Sequence, residues 1–441
     1  MKKKKGQGSV MFELGKRSCC AFLLGMGVLA FAVEVAAESD PLEMSRPDYV
    51  VYRPQQPRGG KNADPTKRGD CYNDHFQVIW DDARKLYYAF WTQGSGEGYG
   101  DMHVCLSKSA DRGKTWTYPK LIAGGEKIAE PKPRAVWQQP MLAKSGRLYC
   151  LWNQQIDEER LHHGVIYGAY SDDGGETWSK PEENKSVPRQ YRDDWRGKEL
   201  PNWCNWQRPL RLAEDNRFLV ACTRHGTGKG EPHRSLAIEF WRFENIDENP
   251  EIRDIRITVL SGNKDAIRVP AGDTGRFICE EAGIVKLPDG RLFALMRTRN
   301  RHPYWVQSRD GGVSWSKPEP LRDTKGTAYL HPCSPCPIYD VNGCEAASGE
   351  YVAFIHNAYD DSIPPLGRQP RGPVYMIRGR FDPTGAQPIA FGAPELFSPV
   401  KSGNSYYASF THADGEGVMW FAHQKHFLIG RRISPEKDSQ K

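Results

Sequence analysis

Along most of the chain, apolar and polar residues alternate in short runs bounded by Gly, Pro, Asp and Asn. No stretch carries the spacing of a long amphipathic helix. Residues 281–298 read as two antiparallel strands joined at Asp289-Gly290, and similar openings recur at 137–154, 207–224 and 406–422. A first unit fits 74–92, and a more irregular one fits 330–382. Six such units predict an all-β chain.

Three segments repeat one phrase: Ser109 to Trp116, Ser171 to Trp178 and Ser308 to Trp315 each spell Ser-x-Asp-x-Gly-x-Thr/Ser-Trp. The Asp bonds its own backbone, Gly supplies positive φ, and Trp plugs an apolar surface. Each copy therefore predicts a tight turn between two strands of one small sheet. The phrase resembles the Asp-box of the sialidase (neuraminidase) superfamily. That resemblance implies a six-bladed β-propeller with the boxes at outer turns, far from a central pocket. The boxes thus speak for fold and hardly for chemistry.

Residues 1–37 read as a signal peptide. Lys2 to Lys5, Lys16 and Arg17 precede an apolar stretch from Cys19 to Val33, and Val35-Ala36-Ala37 offers small residues for cleavage. Export to a periplasmic or extracellular space is the expectation, with membrane attachment only through an uncleaved leader. Residues 38–72 then form a lead-in segment, and 73–436 the propeller. Losing the leader removes six basic and two acidic residues, so the formal charge falls from +6 to about +2. Nothing in that balance points to nucleic acid.

Nine cysteines follow the leader, an odd number that leaves at least one thiol unpaired within the chain. His331, Cys333, Cys336 and Cys344 invite a metal reading. A Pro-constrained loop with one disulfide is the simpler one, since no second cluster completes the ligand set. No metal or cofactor is expected.

The units align on their turn glycines. Glu281 stands nine residues before Gly290, Tyr406 nine before Gly415 and Gln207 nine before Asn216. Arg297 follows Gly290 by seven residues, Asn153 follows Gly146 by seven and Arg224 follows Asn216 by eight. In a propeller these phases meet near the axis at one face, so polar residues there point into one pocket. A slip of one residue turns a side chain to the other face of its sheet. Asp74, His75, Gln138, Asn153, Gln207, Arg208, His356 and Asn357 are further candidates for the same pocket. Trp91, Trp137, Trp203, Trp206 and Trp305 are either core or sugar platforms.

The pocket residues extend the sialidase resemblance. Sialic acid carries a carboxylate on its anomeric carbon, which calls for an arginine clamp and disfavours a carboxylate nucleophile. The resemblance implies Tyr406 as nucleophile, with Tyr407 if the strand is shifted, and Glu281 as its base. It also implies Arg297 and Arg371 in the clamp, Arg378 standing in for Arg371 if needed, and Arg53 or Arg224 third. Glu97 or Asp101 would be the acid/base. His75 stands where sialidases carry the first-blade arginine, and Asp74 precedes it. The implied activity is removal of a terminal anionic sugar from a glycan. A different glycan-active enzyme on the same propeller, using His75 or Asp74 on a uronic or sulfated sugar, or a propeller that binds glycan or protein without chemistry, are the alternatives.

Overall fold

The computed structural model describes residues 41–434, except 59–67, 125–133, 157–160, 189–192, 196–197, 213–215, 227–234, 365–366 and 401–406. The expected leader and Tyr406 lie outside the described residues. Six antiparallel sheets of at least four strands follow one another along the chain. The first comprises Tyr72–Asp81, Leu86–Gly94, His103–Ser109 and Lys120–Gly124, and the second Ala135–Leu142, Leu148–Gln155, Gly164–Ser171 and Glu182–Asn184. The fourth comprises Cys279–Lys286, Leu292–Thr298, Tyr304–Ser308 and Glu319–Pro320. In the third sheet, Trp203–Cys204 and Leu210–Leu212 share the first position beside Arg217–His225. The last sheet, Ala408–Ala413, Glu416–His423 and Phe427–Ile433, takes its fourth strand from Tyr49–Tyr52 in the lead-in segment. This pairing of the two chain ends closes the ring. The result is an all-β, six-bladed propeller.

First strands meet at the axis and exchange hydrogen bonds there. Val78 N–H donates to Ser409 Oγ at 2.8 Å, Gln77 Nε2 to Trp206 O at 2.7 Å, and Ile284 N–H to Gln207 Oε1 at 3.0 Å. Glutamine side chains thus satisfy backbone groups of neighbouring blades, which a buried hub requires.

Between blades the packing is apolar. Phe293, Trp305, Ile338, Tyr351 and Phe391, for instance, fill the space between the fourth and fifth sheets. Each large side chain so withdrawn contributes about 1.5–3 kcal/mol.

Each Asp-box turns the third strand of its blade into the fourth. Asp310 accepts from Ser308 Oγ at 2.8 Å, from Ser314 N at 2.9 Å and from Ser314 Oγ at 2.5 Å, and the other two boxes repeat the pattern. Each box tryptophan packs on the preceding blade. Trp315 stacks on Phe240 at 4.1 Å, Trp178 meets Phe90 edge-on at 6.3 Å, and Trp116 meets Trp420 at 5.5 Å. The repeat is therefore an inter-blade fastener, remote from the hub.

Candidate functional site

Three bulges aim side chains into the hub. In the first, second and fourth blades the register of the opening strand shifts between Asp74 and Gln77, Val136 and Gln139, and Glu280 and Gly283. Within these bulges His75, Trp137 and Glu281 adopt φ of 54°, 53° and 55°. Such backbone costs an L-residue about 1–3 kcal/mol and gathers at functional sites. The bulge at Glu281 also lets two consecutive glutamates reach one guanidinium, which a regular strand forbids.

That guanidinium belongs to Arg297, at the end of the neighbouring strand. Its Nη1 lies 2.6 Å from Glu281 Oε2 and its Nε 3.1 Å from Glu280 Oε1. The other oxygen of Glu281 accepts the Tyr407 hydroxyl at 2.7 Å, and Arg297 Nη1 reaches the same hydroxyl at 3.4 Å. Thr223 Oγ1 accepts the Glu281 N–H at 2.9 Å. The cluster is buried. Burial and the Glu281 charge push the Tyr407 phenol well above its ordinary value. Arg297 and the Tyr407 hydrogen bond outweigh burial and hold Glu281 below the glutamate value, whereas burial raises Glu280.

His75, Trp206 and Lys425 complete the wall around Tyr407. The His75 ring lies 4.8 Å from the Tyr407 ring and the Trp206 ring 5.7 Å from it, while Lys425 Nζ sits 5.2 Å over its face. His75 Nε2 accepts the Trp137 indole N–H at 2.9 Å, so the neutral ring carries its proton on Nδ1. Desolvation lowers the His75 pKa, and Nδ1 has no partner among the described residues. Lys425 bridges Asp74 Oδ2 at 2.8 Å and Glu97 Oε2 at 3.0 Å, while Asp74 Oδ1 is buried without a partner among the described residues. The Lys425 charge pulls Glu97 down to about 2.

Several expected residues stand elsewhere. Tyr406 lies outside the described residues, and the tyrosine bonded to Glu281 is its neighbour Tyr407. Arg224 is not in the hub. It is 1% exposed and pairs with Asp193 at 2.5 Å and Glu239 at 3.6 Å, because Thr223, one residue earlier, takes the inward face. Arg53 follows the outermost strand of the last blade, is exposed and lies 5.8 Å over Phe427. Asp101 is fully buried and spends its carboxylate on Gly69 N, Ser95 N and Ser95 Oγ, so it braces a loop. Arg378 pairs with Glu395 on an outer strand. Arg371 is half-buried, makes no hydrogen bond or ion pair among the described residues, and its charge reaches Tyr407, His331 and His356.

The expected loop forms no disulfide, and its cysteines gather with no trio of possible metal ligands among the described residues. All nine described cysteines are free. Cys333 Sγ accepts from Arg297 Nε at 3.1 Å, and Cys344 Sγ donates to Phe410 O at 3.0 Å. Trp91, Trp203 and Trp305 are core, whereas Trp137 and Trp206 face the hub.

Lys425 and Glu280 were not singled out by the sequence. Lys425 sits in a hairpin turn in which Gln424 and Lys425 take φ of 56° and 55°, and with no glycine there nothing in the sequence signals it. A 600 Å³ cleft opens just past the end of the Leu292–Thr298 strand and is lined by Arg268, Arg299, Arg301, Tyr304 and Tyr359 among others. The Arg299 charge reaches Glu280. A cavity of 680 Å³ at the strand-turn end of the blades holds arginines already paired, Arg84 with Asp81 and Arg211 with Asp247.

The chain belongs to the family described as BNR repeat-like domain, whose sequence model matches residues 85–332. The fold is that of a sialidase-like BNR propeller. A Hadza microbial sialidase is similar over 82% of this chain and 66% of its own, with 12% identity and a TM-score of 0.58. Trypanosoma rangeli sialidase with the inhibitor DANA is similar over 88% and 58%, with 12% identity and a TM-score of 0.54. A Dyadobacter fermentans protein of unknown function is similar over 87% and 96%, with 14% identity and a TM-score of 0.55. The chain thus spans about three-fifths to two-thirds of the length of these two sialidases. No curated protein matches the sequence.

Proposed function

We propose that this chain is an exported, retaining exo-glycosidase that removes a terminal sugar bearing its carboxylate on the anomeric carbon, sialic acid first among them. The observation that carries the reading is the bond between the Tyr407 hydroxyl and Glu281, with Arg297 beside both. A phenol is a weak nucleophile unless a neighbouring base takes its proton, and Glu281, held ionised, is such a base. Tyr407 Oη attacks the anomeric carbon, Glu281 receives the phenol proton, and the glycosidic C–O bond breaks as Glu97 protonates the leaving oxygen. Water then attacks the same carbon and gives a proton to Glu97. Tyr407 departs and recovers its proton from Glu281.

Glu97 carries no proton in the resting site, because Lys425 holds it at about 2. An arriving substrate carboxylate competes for Lys425 and lets Glu97 take up a proton. Arg297 and Arg371 receive that carboxylate, and the arginine- and tyrosine-lined cleft accommodates the rest of the glycan.

One observation favours a second reading. Arg297 is already paired with two glutamates, while His75 Nδ1 and Asp74 Oδ1 stand unpartnered among the described residues. A hydroxyl-rich or uronic sugar held by His75 and Asp74 fits those groups. Comparing an aryl sialoside with an aryl glucuronide separates the readings. Release from the sialoside supports the first, release from the glucuronide alone supports the second, and release from neither overturns both.

A further inference from the structure

We propose that His162, Cys204 and His225 form a zinc site in the wall of the hub pocket. Their donor atoms all lie within 4.8 Å of one another. Cys204 Sγ is 3.8 Å from His225 Nε2, and the two imidazole centroids are 4.0 Å apart. Tetrahedral zinc, with bonds of about 2.0–2.3 Å, sets its donor atoms roughly 3.3–3.6 Å apart. Small side-chain rotations therefore close the three donors onto one ion. Among the described residues no other trio of His, Cys, Asp or Glu gathers in this way.

The backbone fixes this meeting. Trp203 pairs with Arg224 and Cys204 with Thr223, so Cys204 and His225 are diagonal neighbours on one face of the third blade. His225 N–H donates to Asn202 O at 3.0 Å. His162 comes from the second blade, and its carbonyl accepts the Trp203 N–H at 3.2 Å. Asn153 Nδ2 bridges His162 O and Trp203 O at 3.4 and 3.2 Å. Trp137 lies flat against the His162 ring, 4.8 Å away and tilted by 13°. Ligands carried on cross-bonded strands and braced by a packed indole are largely positioned before an ion arrives.

The donor set selects the ion. One thiolate and two imidazoles suit zinc and not the oxygen-seeking magnesium or calcium. Three protein ligands leave one position for water or a substrate oxygen, the pattern of zinc sites that act on what they bind. The position agrees. Thr223, paired with Cys204, holds the Glu281 N–H, and Trp137, stacked on His162, also bonds His75. The site does not rest on the tyrosine mechanism, and its test needs no substrate.

The test is metal content of the purified chain after dialysis against zinc, measured by mass spectrometry, with cobalt(II) as optical probe. About one zinc per chain is expected, and a near-ultraviolet thiolate-to-cobalt band that vanishes in Cys204→Ser. His162→Gln and His225→Gln should each weaken zinc binding by at least about tenfold, and Cys344→Ser should not. His162 is only half-buried, so its substitution leaves a fold whose melting transition verifies integrity. Zinc at background level in the wild type, or zinc and the cobalt band persisting in Cys204→Ser, overturns the proposal.

Discussion

Tyr407 and Glu281 belong to different blades, more than a hundred residues apart, and meet at 2.7 Å in the hub. The second oxygen of Glu281 is taken by Arg297, so the phenol, carboxylate and guanidinium form one buried chain of charge-assisted bonds. Removing any member leaves the others with uncompensated polarity in a buried site.

The two adjacent glutamates should therefore behave differently. Glu281→Gln removes the base and should cut turnover by about a hundredfold or more with the fold intact. Glu280→Gln keeps the Tyr407 bond and should cost far less in turnover. Steady-state kinetics of both variants beside their melting temperatures make the comparison.

Lys425→Met should raise the Glu97 pKa, because the ammonium is the main cause of its depression. The limb of the pH–rate profile that Glu97 governs should then move to higher pH by about one unit or more. An unmoved limb would remove Glu97 from the acid/base role.

Acid should destabilise the propeller through His331. Its Nε2–H donates to Ser334 O at 2.8 Å, and its Nδ1 accepts the His356 N–H at 3.2 Å, an arrangement only the neutral ring satisfies. Desolvation, the largest cause, holds its pKa at about 4. A histidine depressed in the folded state contributes fully above its unfolded pKa, about 6.5, and loses that contribution as pH falls towards 4. The loss is on the order of 3 kcal/mol. Urea titrations from pH 7 to 4.5 should show it, with a shallower slope in His331→Gln.

Trp315→Ala should lower stability by about 2 kcal/mol, since the indole stacks on Phe240 of the preceding blade. Because the box is remote from the hub, kcat should hold at temperatures well below melting.

The fold was legible because the Asp-box is local chemistry. Its Ser, Asp, Gly and Trp bond within eight residues, and that pattern survives in one dimension. The site was legible only to within a residue. Turn-glycine phasing found Glu281 and Arg297, yet it chose Arg224 where Thr223 faces inward. The other units place this residue seven after the turn, and seven after Asn216 is Thr223; Arg224 is the eighth, one step further along a continuous strand, and so points to the other face. No letter announces the left-handed backbone at Glu281 that lets Glu280 share Arg297. Lys425 and the His162, Cys204 and His225 group are products of closure: the residues come from separate blades or from a hairpin end, and only the assembled ring brings them together.

The most direct test of the Tyr407 role is covalent trapping with a fluorinated sialosyl fluoride, followed by mass spectrometry of the intact chain and its peptides. Accumulation of one sugar per chain, with fragmentation placing it on Tyr407 and no adduct in Tyr407→Phe, is the expected result. An adduct on Tyr406 or elsewhere, or turnover that survives Tyr407→Phe unchanged, would contradict it.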